Sequence, residues 1–384
     1  MKNVVPNHLE CLTCGETKPV SHFHEQARSK TGYASSCRTC VNKKRRSKKA
    51  ARPGAPTRLM TLVKKGNLEG VKKLIETATA PSLNSLLITC ATPYFSYLKT
   101  NAHAELARYL IQNGANPDAK NSEEERVLFL AARSGRLDLV EAILEGGAIV
   151  DFFTAAALLD LPVLEGYLKE DRLLGKARDI TGFSALHYCA GSALGRASDI
   201  RQSHQLRVID LLLGAGADPD LEVGLLSATP LAFCCISGGS IPVIRKLVRA
   251  GANPNHPWTL RSALRHFKQK GSAENPVADA LVDCGCEVDG LIDDDRTCLH
   301  LYSHHEEKQA VAWLLNNGAL VHAKTADGRT PLHLAAERNS HTFVIQLLVG
   351  HGAPIDSTDS LGMKPIDYAK ANGKDRVVTF LSAE

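Results

Sequence analysis

No apolar run in this 384-residue chain approaches the roughly 18 residues of a membrane-spanning helix. The first residues also lack the apolar core of a secretory leader. These absences predict a chain with no membrane-embedded part, held in a reducing compartment: the cytoplasm, or the nucleus in a eukaryote. Two further absences bear on chemistry. There is no glycine-rich phosphate-binding loop and no nucleophile elbow. The most metal-like run beyond the N-terminal segment is His304-His305-Glu306-Glu307. Neighbouring helical residues point about 100° apart, however, and no third ligand stands at usable spacing. No enzyme is expected.

What the chain does have is a period. Gly216, Gly251, Gly285, Gly318 and Gly352 recur at intervals of 35, 34, 33 and 34 residues, and Gly114 and Gly147 are 33 apart. Alanine follows each of them except Gly285, which precedes Cys286. A fixed spacing in this range marks a solenoid, whose units are each too small to bury an apolar face alone and so lean on their neighbours.

One unit is legible residue by residue between Ala326 and Asp359. Asp327-Gly328 supplies a tight turn. Thr330-Pro331 opens a short helix, where the missing proline N–H costs nothing. Phe343, Ile345, Leu347 and Leu348 mark a second helix that ends at Gly352, a residue suited to positive φ. Turn, helix, helix and extended loop in this order resemble an ankyrin repeat. The Thr-Pro-Leu-His box recurs as Thr297-Cys298-Leu299-His300, Ser184-Ala185-Leu186-His187 and Thr229-Pro230-Leu231. A degenerate unit over 259–292 is read with Arg265 at the histidine position. Weaker units fall at 122–154, 155–178 and 59–80, and Lys364-Pro365-Ile366 begins a C-terminal cap. The resemblance implies an all-α solenoid of nine or ten helix-turn-helix units over residues 59–384. In such units the box histidines His187, His300 and His333 bond neighbouring backbone. Two insertions of about ten residues, near 91–103 and 192–204, fall where a first helix turns into its second. They are either tolerated loop drift or a binding feature; Pro93-Tyr94-Phe95 and Tyr97 place three aromatics in the first.

The eleven cysteines divide in two. Seven are scattered through the repeats, where core thiols explain them; Cys284-Gly-Cys286 matches no usual metal spacing. The other four form Cys11-Leu-Thr-Cys14 and Cys37-Arg-Thr-Cys40, two knuckles separated by 22 residues. Four thiolates complete a tetrahedral Zn2+ shell and leave no open position, so the expected zinc is structural. A small segment with few apolar groups would draw most of its folding energy from that metal. His22 and His24 lie between the knuckles as alternative ligands. The wording from Cys11-Leu-Thr-Cys14-Gly-Glu-Thr-Lys-Pro19 through Phe23 to Cys37 and Cys40 resembles a small phage and bacterial zinc ribbon, sometimes appended to endonuclease VII-like nucleases. No His-Asn-His nuclease motif accompanies it here, so the resemblance implies nucleic-acid contact rather than cleavage.

Charge is polarised the same way. Residues 1–58 hold 13 Lys or Arg against 3 Glu, and the remaining residues hold 33 basic against 38 acidic. Lys43, Lys44, Arg45, Arg46, Lys48 and Lys49 follow the last knuckle directly. A phosphate backbone attracts such a run by counterion release, without reading sequence. A solvated linker or nuclear-import signal, and docking on an acidic protein surface, also fit it. Arg52-Pro53-Gly54-Ala55-Pro56 is expected to be a hinge.

The expected organisation is thus a four-cysteine zinc ribbon at 1–42, a basic linker at 43–58 and the ankyrin-like solenoid at 59–384. Ankyrin units present loop tips and first-helix faces along one surface. That projects partner contacts onto Ile180, Phe183, Leu225, Leu226, Trp258, Asp293, Asp294, His304, His305, Asp327, Arg329, Glu337 and Arg338. The expected role is a non-catalytic adaptor binding a protein through its repeats and DNA or RNA through its basic end. The ribbon's phage character points to a virus- or mobile-element-encoded modulator of a host protein. The rival from another class is a nuclease-associated enzyme whose ribbon addresses substrate.

Overall fold

The computed structural model describes residues 8–10, 17–19, 54–77, 82–92, 102–224, 227–267, 274–293 and 295–384. The chain divides into two compact units, Met1–Pro81 and Ser82–Glu384.

In the first unit, strands β1 (His8–Glu10) and β2 (Thr17–Pro19) pair antiparallel with Leu9 opposite Lys18. Cys11, Cys14, Cys37, Cys40 and the basic run from Lys43 to Lys49 lie outside the described residues. Helices α1 (Gly54–Lys64) and α2 (Leu68–Thr77) pack together and bury Leu59, Val63 and Val71. α1 begins inside the stretch read from sequence as a hinge. Pro56 falls in its first turn, where backbone N–H groups have no intrahelical partner.

The second unit holds nine helix pairs among its described residues. They are α3 (Leu83–Ala91) with α4 (Ala102–Gln112), α5 (Val127–Ser134) with α6 (Leu137–Glu145), and α7 (Phe152–Leu158) with α8 (Leu161–Glu170). Next come α9 (Ala185–Gly191) with α10 (Asp199–Gly214), α11 (Pro230–Ile236) with α12 (Ile241–Arg249), and α13 (Pro257–Ala263) with α14 (Pro276–Asp283). The last are α15 (Cys298–His304) with α16 (Lys308–Asn316), α17 (Pro331–Arg338) with α18 (Phe343–Gly350), and α19 (Pro365–Ala371) with α20 (Asp375–Ala383). First helices stack in one layer and second helices in another. Small buried residues, such as Ala131-Ala132, Ala155–Ala157 and Ala335-Ala336, let the first helices approach closely.

The Gly-Ala signature has a definite geometry. After α18, Ala353 donates its N–H to Leu348 and Gly352 donates to Val349; the same pair of bonds follows α10, α12, α14 and α16. This is a Schellman ending, which needs left-handed backbone at its central residue. Gly251, Gly285, Gly318 and Gly352 adopt φ between 84° and 101°, and a side chain at any of them would meet open space. Conformation, not room, therefore demands glycine. The following alanine is buried, and so is Cys286, which explains that exchange.

The box histidines join units. Nδ1 of His187, His300 and His333 lies 2.8, 3.0 and 2.8 Å from the hydroxyl of Ser184, Thr297 and Thr330, and also accepts that residue's N–H. The opposite nitrogen must then carry the proton. Nε2 reaches the carbonyls of Ala228, Arg329 and Met363 in the following units at 3.1–3.3 Å. Burial pushes all three imidazoles toward the neutral form, His187 to about 4.

A second tie was not read from the sequence. Asp118, Asp220, Asn255 and Asp289 each accept, at 2.7–3.0 Å, the N–H of Ile149, Asn253, Glu287 and Leu320 in the adjoining unit. Each acceptor stands four residues after a cap glycine, and that spacing was the available signal. At the next step the series stops, because His322 occupies the acceptor position and Pro354, without an N–H, the donor position.

One expectation requires correction. The box of the degenerate unit is His256-Pro257-Trp258-Thr259, with His256 capping α13, so Thr259 and not Arg265 takes the histidine position; Arg265 follows the helix. The 192–204 insertion is anchored at its start, while residues 196–200 are exposed. Ala193 and Leu194 are buried, and the Ala193 N–H bonds to the Ala132 carbonyl of α5. Fully buried Gln205 donates to the carbonyls of Cys189 and Ser192. The insertion thus fills space beside α5 and lengthens α10. Residues 93–101 of the other insertion lie outside the described residues.

Candidate protein-interaction site

Hairpin-like turns between units project the most exposed apolar groups. Ile180 is 82% exposed and Leu361 80%. Each tip is set by an aspartate. Asp179 Oδ1 accepts the N–H groups of Thr181 and Phe183, while its other oxygen takes the Tyr188 hydroxyl. Asp359 repeats the arrangement with Leu361, Met363 and Tyr368. These bonds make rigid turns that hold the apolar tip in water, and a fixed tip loses little entropy on meeting a partner.

The projected contact residues separate into distinct settings. Phe183 is half-buried, with ring centroids 5.0 Å from Phe233 and 6.2 Å from Tyr188. Phe129 and Phe153 extend this aromatic cluster along the first-helix layer. Trp258 is not on a tip: it sits in the first turn of α13, half-buried, with the Arg261 guanidinium 4.1 Å over its ring. Asp293 is exposed and bridged by Arg296, whose N–H and guanidinium it accepts. Asp327 and Arg329 pair at 2.6 Å, and Arg329 also reaches Glu337 at 3.2 Å. The Thr325 hydroxyl, with Arg329, holds the Asp327 carboxyl below the ordinary carboxylate range. His304 and His305 lie at the opposite end of the first helices, at the end of α15, with rings edge to face. Burial lowers the pKa of His304. The hairpin-edge and helix-end residues therefore do not converge on one spot. Leu225, Leu226 and Asp294 lie outside the described residues.

Thr259 is fully buried, and its hydroxyl finds no partner. An unmet buried hydroxyl costs about 1–3 kcal/mol. Thr259→Val is therefore expected to raise stability by about 1 kcal/mol, whereas Thr330→Val, which removes a partner of His333, is expected to lower it by about 1–2 kcal/mol. Denaturant midpoints of the two variants check this opposition; equal losses would contradict it.

Among the described residues no helix is long and apolar enough to cross a membrane, and no group of three or more His, Cys, Asp or Glu is arranged to hold a metal. The model of the family described as ankyrin repeats (3 copies) matches residues 59–154, 268–359 and 299–384, together more than half of the chain. Delta-latroinsectotoxin-Lt1a of Latrodectus tredecimguttatus is 34% identical over 85 residues, 22% of this chain and 7% of the toxin. Rabankyrin-5 of Mus musculus is 39% identical over 77 residues, 20% of this chain and 6% of that protein. E3 ubiquitin-protein ligase KEG of Arabidopsis thaliana is 22% identical over 297 residues, 72% of this chain and 17% of the ligase. The chain thus spans only a small part of the length of these relatives. The crystal structure of the human ASB11 ankyrin repeat domain aligns with a TM-score of 0.45 and 22% identity, covering 61% of this chain and 98% of that one. Ankyrin repeats are in general non-enzymatic scaffolds for protein–protein interaction. On the repeat geometry and the family match, this chain belongs to the ankyrin-repeat family.

Proposed function

We propose that this protein is a non-catalytic adaptor that grips a protein with its solenoid and contacts nucleic acid through its N-terminal segment. The observation that carries the first half is the row of rigid turns with exposed tips, Ile180 and Leu361 foremost. The second half rests on the chemistry of residues 11–49. Four thiols in two Cys-x-x-Cys pairs match zinc in number and type. Cys11, Cys14, Cys37 and Cys40 would hold the ion, which supplies structure and no reactive position. The six cations of 43–49 would then follow a metal-braced segment, suited to a phosphate backbone.

Affinity capture with the full chain and with residues 57–384 separates the halves. Both forms are expected to retain the same protein, and only the full chain to retain DNA or RNA, with affinity falling steeply as salt rises. Cys14→Ser with Cys37→Ser is expected to remove one zinc per chain, read by metal analysis, without changing protein capture. Nucleic-acid affinity that survives removal of residues 1–56 would overturn the basic-end assignment. Cleavage of nucleic acid by the metal-replete chain would overturn the non-catalytic one.

A further inference from the structure

The solenoid carries a second surface, on the second-helix layer rather than on the tips and first-helix face. The unit of α7 and α8 lacks the Gly-Ala ending; it closes in a 3-10 turn, Arg172–Lys176, whose Gly175 presses against Ala215 at the end of α10. Between α8 and α10 this leaves a cleft of about 650 Å³. Its floor is apolar, from Leu161, Leu168, Leu211 and Ala215. Lys169, Arg172 and Arg207 stand around it with two carboxylates, Glu165 and Asp210.

The two carboxylates do not balance the three cations at the cleft. Asp210 is already taken by Lys246 at 2.6 Å. Arg172 gives one bond to the Gly214 carbonyl, which leaves its charge uncompensated. Glu165 therefore faces three cations over an apolar floor. The next residue along the rim, Leu173, is 74% exposed.

We propose that this cleft takes an acidic amphipathic segment of a protein partner, with leucine-like side chains on the floor and carboxylates against Lys169, Arg172 and Arg207. The cleft is open along its length, so it does not enclose a small molecule as a ligand pocket does, whereas an extended or helical segment covers it. Complementary charge on the segment fixes its register and excludes basic competitors. This goes beyond the adaptor assignment, because it names a second partner chemistry on a different face.

The test uses the full chain and two fluorescein-labelled helical peptides, each with leucines at i and i+4, one flanked by glutamates and the other by lysines. Anisotropy is expected to show saturable binding of the glutamate peptide, weakened by salt, and none of the lysine peptide. Lys169→Glu with Arg207→Glu is expected to weaken the glutamate peptide by about 10-fold or more. The unfolding midpoint of the double variant, expected to match the parent, separates lost binding from lost folding. If the midpoint drops, Lys169→Gln with Arg207→Gln is measured instead and is expected to weaken binding in the same direction. Absence of binding by the glutamate peptide would overturn the proposal. So would equal binding of both peptides, or unchanged affinity in a folded variant, which would place the peptide on the basic N-terminal run.

Discussion

Between about pH 6.5 and pH 4 the solenoid is expected to lose several kcal/mol of stability, beginning above the range in which carboxylates titrate. The cause is the trio His187, His300 and His333. Each must be neutral to accept at Nδ1 and donate from Nε2 to the next unit, and burial depresses each pKa, His187 to about 4. The unfolded chain binds a proton at about 6.5, while the folded chain resists until lower pH. In that window the unfolded state holds more protons, so stability falls as pH falls. The contribution is fully present above the unfolded value and is lost as pH drops through the folded one. His187 alone accounts for about 3 kcal/mol at full shift. Denaturant midpoints followed by circular dichroism across this range measure the effect. His187→Gln keeps an N–H donor but cannot titrate; it is expected to be less stable at pH 7 and to show a flatter acid response. A midpoint independent of pH between 7 and 4.5 would contradict the neutral, inter-unit role.

Gly175→Ala is expected to cost about 2–3 kcal/mol, comparable to overpacking a tight core. Gly175 is buried, and a Cβ there would lie 2.4 Å from the Ala215 Cβ and 2.6 Å from the Ala215 carbonyl oxygen. The obstacle is partly backbone, so no side-chain rotation relieves it. Either the 3-10 turn or the end of α10 must move. Gly214→Ala, one residue before that contact with open space around its Cβ, is the control and is expected to be near neutral or slightly stabilising. The lowered midpoint of Gly175→Ala against Gly214→Ala checks the prediction; equal midpoints would refute the close contact. Because Ala215 also floors the cleft, Gly175→Ala should disturb binding of the glutamate peptide there while sparing the hairpin tips.

Much of this architecture is legible in local wording. A Schellman ending needs a left-handed residue and a small buried one, so Gly-Ala, or Gly285-Cys286, follows α10, α12, α14, α16 and α18. The Thr-Pro-Leu-His box needs a hydroxyl, a residue without a required N–H and an imidazole, all within four positions. At the degenerate unit no histidine anchors the register, and the structure places the box at His256-Pro257-Trp258-Thr259, six residues before the Arg265 position. The ladder from Asp118, Asp220, Asn255 and Asp289 was visible as a carboxylate or amide four residues after glycine, but its partners stand 31–33 residues away. The tip residues were easier to place than to group, since exposure follows the turn while proximity depends on how units stack.

By itself the sequence determined the repeat, its helix boundaries near Gly216 to Gly352 and the hydroxyl-histidine boxes. Each of these rests on residues within one unit acting through backbone conformation and short-range bonding, whereas the carbonyls that the histidines reach stand 29–41 residues away. Only the tertiary structure decided that the start of the 192–204 insertion is buried against α5, that Thr259 is stranded, and that a cleft opens between α8 and α10. Those outcomes depend on volumes brought together from different units. A missing cap in one unit is read as a lapse of pattern along the chain, and becomes a surface only when the neighbouring helix is packed against it.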